Sequence, residues 1–158
     1  MAMEAIKKVN PRAKLVATDD LGKTYATPFL SYQADFENER RWLSYDLIAG
    51  RMNESHPMWS YLVWSGIEIA ELSYFLENSC EIDIAGLNYY ITSERYLDEA
   101  LDQYPSHTHG GNGQHRYADV EVVRVQTDQQ TGFSILAKEA WDRLGFPLAV
   151  TEVHLHCT

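Results

Sequence analysis

Three short apolar runs, each breaking off in polar side chains, constrain this chain more than any other feature of it. Residues 13–17 lead into Thr18, Asp19 and Asp20; residues 82–88 end in the cluster Asn88, Tyr89, Tyr90; residues 147–150 lead into Thr151 and Glu152. Apolar runs of this length, without strict polar alternation, read as strands buried on both faces, which occur in parallel sheets covered by helices. In such folds the carboxyl ends of the strands gather on one side of the molecule and carry its chemistry. The three polar ends are therefore expected to face one side.

The intervening segments supply the helices. MAMEAIKKV places Ile6 and Val9 on one helical face, and Asn10-Pro11 ends it. Leu21-Gly22 opens a loop, and Thr27-Pro28 has the form of an N-cap followed by an N1 proline. Phe36, Leu43 and Leu47 recur at helical spacing up to Gly50, and two further helical stretches run through MWSYLVWSG and EIAELSYFLEN. Residues 120–125 are β-prone. Phe133 to Leu144 forms a helix with Ile135, Leu136, Ala140 and Leu144 inward and Gly145 as its cap. The order is helix–strand repeated three times: an α/β chain with no internal repeat and no linker.

Charge and composition exclude several roles. The chain has 158 residues, 23 of them acidic against 13 basic, for a formal net charge of −10. That balance excludes a nucleic-acid partner, which requires clustered Lys and Arg. No stretch approaches the roughly 18 apolar residues of a membrane span. The first residues contain no apolar signal core, so the simplest compartment is cytoplasmic. Cys80 and Cys157 are too few for a disulfide framework. Four Trp and ten Tyr suit either a core or a sugar-stacking surface. Trp42, Trp59, Trp64 and Trp141 fall in helical stretches and are expected to pack.

Residues 104–117, YPSHTHGGNGQHRY, read as a polar, mobile loop. His107, His109 and His115 there raise the question of a metal, but a zinc site requires three or four ligands held on regular structure. Gly110, Gly111 and Gly113 supply none, and no metal is expected. Asp19 and Asp20 suit either substrate hydroxyls or the capping of the loop and helix after the strand; the cap is the expected role.

IDIAGLNYYITS followed by PLAVTEVHL resembles the sixth and seventh strands of the family 1 glycoside hydrolases. That family is a (β/α)8 TIM barrel. Asp83, Gly86, Asn88, Tyr89 and Tyr90 match its D-x-x-G-x-N-Y-Y pattern, and Thr151-Glu152 matches the first half of its Thr-Glu-Asn-Gly motif. Val153 and His154 depart from the second half. The HGGNGQHRYADVEVVR and TEVHL stretches are closer to a bacterial branch often fused to a domain resembling dTDP-4-dehydrorhamnose reductase. The resemblance implies a partial barrel, strands five to seven with their helices, and no cofactor. It implies Glu152 as the nucleophile of double-displacement glycoside hydrolysis, with Tyr90 donating a hydrogen bond that orients it. It also implies Asn88 as a substrate-binding amide, with His109, Arg116 and His154 as further substrate contacts. His154 and His156 depart from the family's usual residues and bear on substrate preference. Cys80 and Cys157 would stand at opposite ends of the barrel as free thiols.

A retaining glycosidase needs a second carboxyl group about 5 to 5.5 Å from the first. The family places it on strand four in an Asn-Glu-Pro motif. Here Asn38-Glu39 is followed by Arg40 and Asn53-Glu54 by Ser55, so neither matches. The expectation is therefore that residues 1–158 are one incomplete domain, cut from the central-to-late part of a barrel whose remainder supplies the acid. Alone, it is expected to be inactive and poorly stable. Its partners are then a carbohydrate substrate, the rest of the same barrel, and a possible fused sugar-nucleotide reductase domain. Two alternatives stand beside this one. The first is a non-catalytic sugar-binding or scaffold barrel linked to sugar-nucleotide metabolism; the second is a small stand-alone α/β domain binding a metal through its His loop.

Overall fold

The computed structural model describes residues 2–154; the expectations for His156 and Cys157 lie outside them. Helix α1 (Ala2–Val9) precedes strand β1 (Val16–Asp20), and β2 (Lys23–Ala26) follows after a two-residue turn. Four helices come next: α2 (Ser31–Arg40), α3 (Leu43–Ile48), α4 (Trp59–Trp64) and α5 (Ile69–Glu77). Strands β3 (Ile84–Tyr90), β4 (Glu94–Asp98), β5 (His109–Gly111) and β6 (Arg116–Glu121) lead to α6 (Phe133–Leu144) and β7 (Leu148–His154). The fold is mixed α/β.

The three apolar runs are the three strands of one parallel sheet, in the order β1-β3-β7. Strand β1 starts later than the sequence suggests, because Leu15 is committed to a different contact. Its N–H donates to Asp83 Oδ2 at 2.8 Å, and its carbonyl accepts from the N–H groups of Asp83 and Ile84. Asp83 thereby aligns the starts of β1 and β3.

One face of this sheet is covered. Ala17, Ala85, Leu87 and Tyr89 point to the helix side and share a core cluster with Leu136, Ala140 and Leu144 of α6 and with Trp42 and Tyr45 around α3. Helix α6 has the bounds its periodicity predicts, and Gly145 caps it in the left-handed conformation at φ 71°. Behind it, the fully buried Asp46 of α3 accepts from Arg143 Nη2 at 2.6 Å and from His56 Nε2 at 3.1 Å. His56 Nδ1 accepts the Met58 N–H, so the ring proton sits on Nε2, facing Asp46.

The second sheet, of four strands in the order β2-β4-β6-β5, is foreshadowed in the sequence only by the β-prone stretch 120–125. Strands β2 and β4 are parallel, and β6 is antiparallel to both β4 and β5. The segment 104–117, expected to be a mobile loop, contributes β5 and the start of β6. It is pinned to α2: Tyr32 Oη meets His115 Nδ1 at 2.8 Å, and Asn112 Nδ2 donates to Tyr32 Oη and Gln33 Oε1. Glycine in such a strand removes side-chain crowding without preventing pairing. The β-prone stretch 120–125 stays extended only to Glu121 and then tightens into a 3-10 turn.

Glu94 joins the sheets. It is 2% exposed. It accepts from Tyr25 Oη on β2 at 3.0 Å, from Tyr89 Oη on β3 at 2.7 Å, and from the Gly132 N–H ahead of α6 at 3.0 Å to both oxygens.

Several expected faces differ. Helix α1 buries Met3, while Ile6 and Val9 are exposed. Thr27 does not cap the turn after it, and its hydroxyl donates to Glu99 instead. Trp42 packs in the core, but Trp64 is 83% exposed and Trp141 60% exposed. Trp141 lies one residue past Ala140, which turns it about 100° away from the buried stripe of α6. Among the described residues no helix is long and apolar enough to cross a membrane.

Two substitutions on α6 test this packing. Leu136→Ala, at a fully buried position, should cost about 2–5 kcal/mol in urea unfolding. Trp141→Ala, on the outer side of the same helix, should stay within about 0.5 kcal/mol of the parent.

Candidate functional site

Side chains on a strand alternate between faces, so the helix-facing set Ala85, Leu87 and Tyr89 leaves Gly86, Asn88 and Tyr90 on the opposite, uncovered face of β3. In parallel strands, paired residues share a face. Thr18 pairs with Gly86 and Asp20 with Asn88 across the β1–β3 ladder. On the other side Leu87 pairs with Val150, but the next residue, Asn88, pairs with Glu152 and not with Thr151. Strand β7 therefore carries one extra residue at Thr151, a β-bulge.

The bulge decides which way the acid points. In an unbroken ladder Asn88 would pair with Thr151, and Glu152 would fall beside Tyr89 on the apolar, helix-facing side. The extra residue shifts the register by one and brings Glu152 to the open face beside Asn88. There Tyr90 Oη donates a hydrogen bond to Glu152 Oε2. Thr151 Oγ1 donates to Asn88 Oδ1 at 2.6 Å, which leaves the amide Nδ2 of Asn88 directed elsewhere. His154 pairs with Tyr90 at the end of the ladder.

Gly86 makes this cluster sterically possible. A Cβ at this position would stand 2.5 Å from Thr18 Cγ2 and 2.9 Å from Thr151 Cγ2. Tyr45 of α3, from the helix side, donates its hydroxyl to the Gly86 carbonyl at 2.7 Å. Burial, reinforced by the nearby Asp19 charge, pushes that hydroxyl's pKa up to about 12, so it remains a donor at ordinary pH.

The ends of β1 behave differently. Asp19 accepts the Ser44 hydroxyl of α3 and the Asp20 N–H, and Asp20 accepts the Ser93 hydroxyl at 2.9 Å. Both acids thus hold neighbouring structure in place. Burial raises the pKa of Asp20 above the usual carboxylate value; the Ser93 hydrogen bond opposes that shift and the Asp19 charge adds to it. A polar cleft of about 460 Å³ opens beside them, lined in part by Lys23, Arg40 and Arg41. These cations are paired: Lys23 and Arg41 with Glu139, and Arg40 with Glu37. Burial works against ionisation of Glu139, but the hydrogen bonds from Lys23 and Arg41 outweigh it and lower its pKa.

The structure thus brings together Asn88, Tyr90 and Glu152, with His154 on the same strand as the acid. His109 and Arg116 stand on β5 and β6 of the second sheet, not on β3 or β7. The His109 ring donates through Nε2 to the Tyr104 carbonyl at 2.9 Å, and Arg116 pairs with Gly111. Among the described residues no group of three or more His, Cys, Asp or Glu is placed to hold a metal ion. Cys80 is a half-buried free thiol. Sequence reasoning missed the part of Thr151, which the Thr-Glu pair signalled only through its acid, and the part of Glu94, which nothing in its local sequence marks.

No protein-family model matches the chain, and no curated protein matches it in sequence. Among solved structures, the chain is similar to the GH1 beta-glucosidase from Exiguobacterium antarcticum B7, with a TM-score of 0.52 at 16% sequence identity. The match covers 96% of this chain and 34% of that one. The likeness is one of fold. This chain spans about a third of that neighbour's length, and the neighbour is a glycosidase by name.

Gly86→Ala should destabilise the chain by about 1–3 kcal/mol through overpacking, read as a lower urea midpoint. Adding Thr18→Ser, which removes one of the two opposing methyl groups, should recover part of the loss.

Proposed function

We propose that this chain is the central-to-late part of a retaining O-glycosidase barrel, strands five to seven of a (β/α)8 fold, with Glu152 as nucleophile. The observation that carries the reading is the bulge at Thr151, which turns Glu152 out of the helix-facing side and against the Tyr90 hydroxyl. A carboxylate held by one oxygen presents the other for attack. In this reading Oε1 of Glu152 attacks the anomeric carbon while an acid from another part of the barrel protonates the leaving oxygen. A glycosyl ester forms on Glu152, and water then cleaves it with the same acid acting as base. The Asn88 amide, its Oδ1 already engaged by Thr151, donates through Nδ2 to a sugar hydroxyl. His154, His109 and Arg116 contact substrate from the rim. The likeness in fold to a GH1 beta-glucosidase supports this assignment, as does the D-x-x-G-x-N-Y-Y pattern at β3.

A second reading has its own observation. Val153 and His154 replace the family's Asn-Gly, which favours a barrel that binds sugar without cleaving it, within a protein of sugar-nucleotide metabolism.

One experiment separates the two readings. The longest reading frame containing this chain is expressed and incubated with a panel of 2-fluoro aryl glycosides. A covalent sugar on the Glu152 peptide, detected by mass spectrometry, is the outcome expected of a retaining glycosidase. A folded protein that takes no label from any sugar overturns that reading in favour of the binding barrel. In an active protein, Glu152→Gln should lower kcat by roughly 10⁴-fold or more. Tyr90→Phe, which removes a hydrogen bond to a charged group worth about 1.5–3 kcal/mol, should lower kcat/KM roughly 10- to 150-fold.

A further inference from the structure

Glu94 stands outside the Tyr90–Glu152 pair but binds Tyr89, the residue beside Tyr90 on β3. Its carboxylate is buried and held by two phenol hydroxyls and one backbone amide, from Tyr25, Tyr89 and Gly132. Each donor leads to a different part of the structure. Tyr89 lies between Asn88 and Tyr90 on β3, and fixing its side chain on the helix side fixes the pleat that presents its two neighbours on the open face. Gly132 starts α6, whose Gly145 cap turns the chain into β7, the strand that carries Glu152. Tyr25 belongs to β2 of the second sheet.

The link between Glu94 and Tyr90 is also short along the chain. The Ser93 N–H donates to the Tyr90 carbonyl at 2.9 Å, and the Ile91 N–H donates to the His154 carbonyl at 3.2 Å, so the turn from β3 to β4 is tied to both strands of the site. Glu94 is the first residue after that turn. Burial, strengthened by Glu94 itself, raises both phenols above the usual tyrosine range, so Tyr25 and Tyr89 remain donors across neutral and alkaline pH. A buried carboxylate is tolerated only while its donors stay in place. A displacement of Tyr89 or of the start of α6 is therefore resisted by the whole network.

We propose that Glu94 is a positioning residue that sets the alignment of Tyr90 on β3 with Glu152 on β7 by gripping Tyr89 and the start of α6 together. Its catalytic meaning rests on the glycosidase reading above; the coupling itself does not.

The test uses the longest reading frame containing this chain, labelled with 3-fluorotyrosine and followed by fluorine NMR, with the Tyr90 resonance assigned by its loss in Tyr90→Phe. Glu152→Gln gives the position of that resonance when the carboxylate partner is lost. The expected result is that Glu94→Gln and Tyr89→Phe each move the Tyr90 resonance toward that position, although neither residue touches Tyr90's hydroxyl. A Tyr90 resonance that stays at its parent position in a folded Glu94→Gln chain, with only the melting temperature lowered, overturns the proposal and leaves Glu94 a stabilising residue alone. Should Glu94→Gln fail to fold, Tyr89→Phe, which removes a single hydroxyl, decides the matter by the same readout. Because the signal requires no glycoside, the coupling and the glycosidase reading stand or fall on separate measurements.

Discussion

A single buried carboxylate holds this architecture together. Glu94 gathers a donor from each sheet and one from the amide ahead of α6, and an acid at that depth costs several kcal/mol unless its donors are maintained. Three separated segments, β2, β3 and the start of α6, must therefore arrive together. Their assembly seats the four-stranded sheet against the end of the parallel one. A helix N-terminus also favours a negative charge nearby, which makes Gly132 a suitable third donor. A network of this kind contributes more to a unique geometry than to net stability.

The open face of β1-β3-β7 owes its chemistry to one irregularity. Alternation alone would send Glu152 into the apolar layer beside Tyr89 and Leu87. The bulge at Thr151 reverses that and sets Glu152 against a tyrosine hydroxyl, while the Thr151 hydroxyl donates to Asn88. Gly86 contributes by absence: without a side chain there, the methyl groups of Thr18 and Thr151 close over the strand from both sides. Bulges occur often beside active sites because they re-aim one side chain at little cost to the rest of the sheet.

The exposure of the same sheet bears on the barrel proposal. Parallel sheets are ordinarily covered on both faces and protected at their edges. Here β1 and β7 are both edges, and residues 150–154 of β7 are exposed throughout. Val150 and Val153, on the helix-facing side by register, lie bare. In the proposed barrel, a further strand with its helix would cover them.

Much of this was legible in the residues themselves. The three apolar runs became the three parallel strands, and α6 took the bounds of its periodic stripe, because burial on both faces and helical amphipathicity leave direct marks in sequence. Asn88, Tyr90 and Glu152 were readable as a set through strand ends and a family resemblance. The second sheet was not: its strands are short, and β5 is His-Gly-Gly, so their pairing depends on partners far along the chain. The outward turn of Trp64 was equally hidden, since its helical stretch does not state which of its sides meets a core, whereas that of Trp141 follows from the buried stripe of α6. Sequence by itself determined the three strands of the parallel sheet, the helical stretches and the strand ends that carry polar chemistry, since these follow from local pattern. Only the tertiary structure decided that Glu152 faces Tyr90 and that Glu94 binds two sheets into one body. Register and buried hydrogen bonding are relations between distant segments, and no segment specifies them alone.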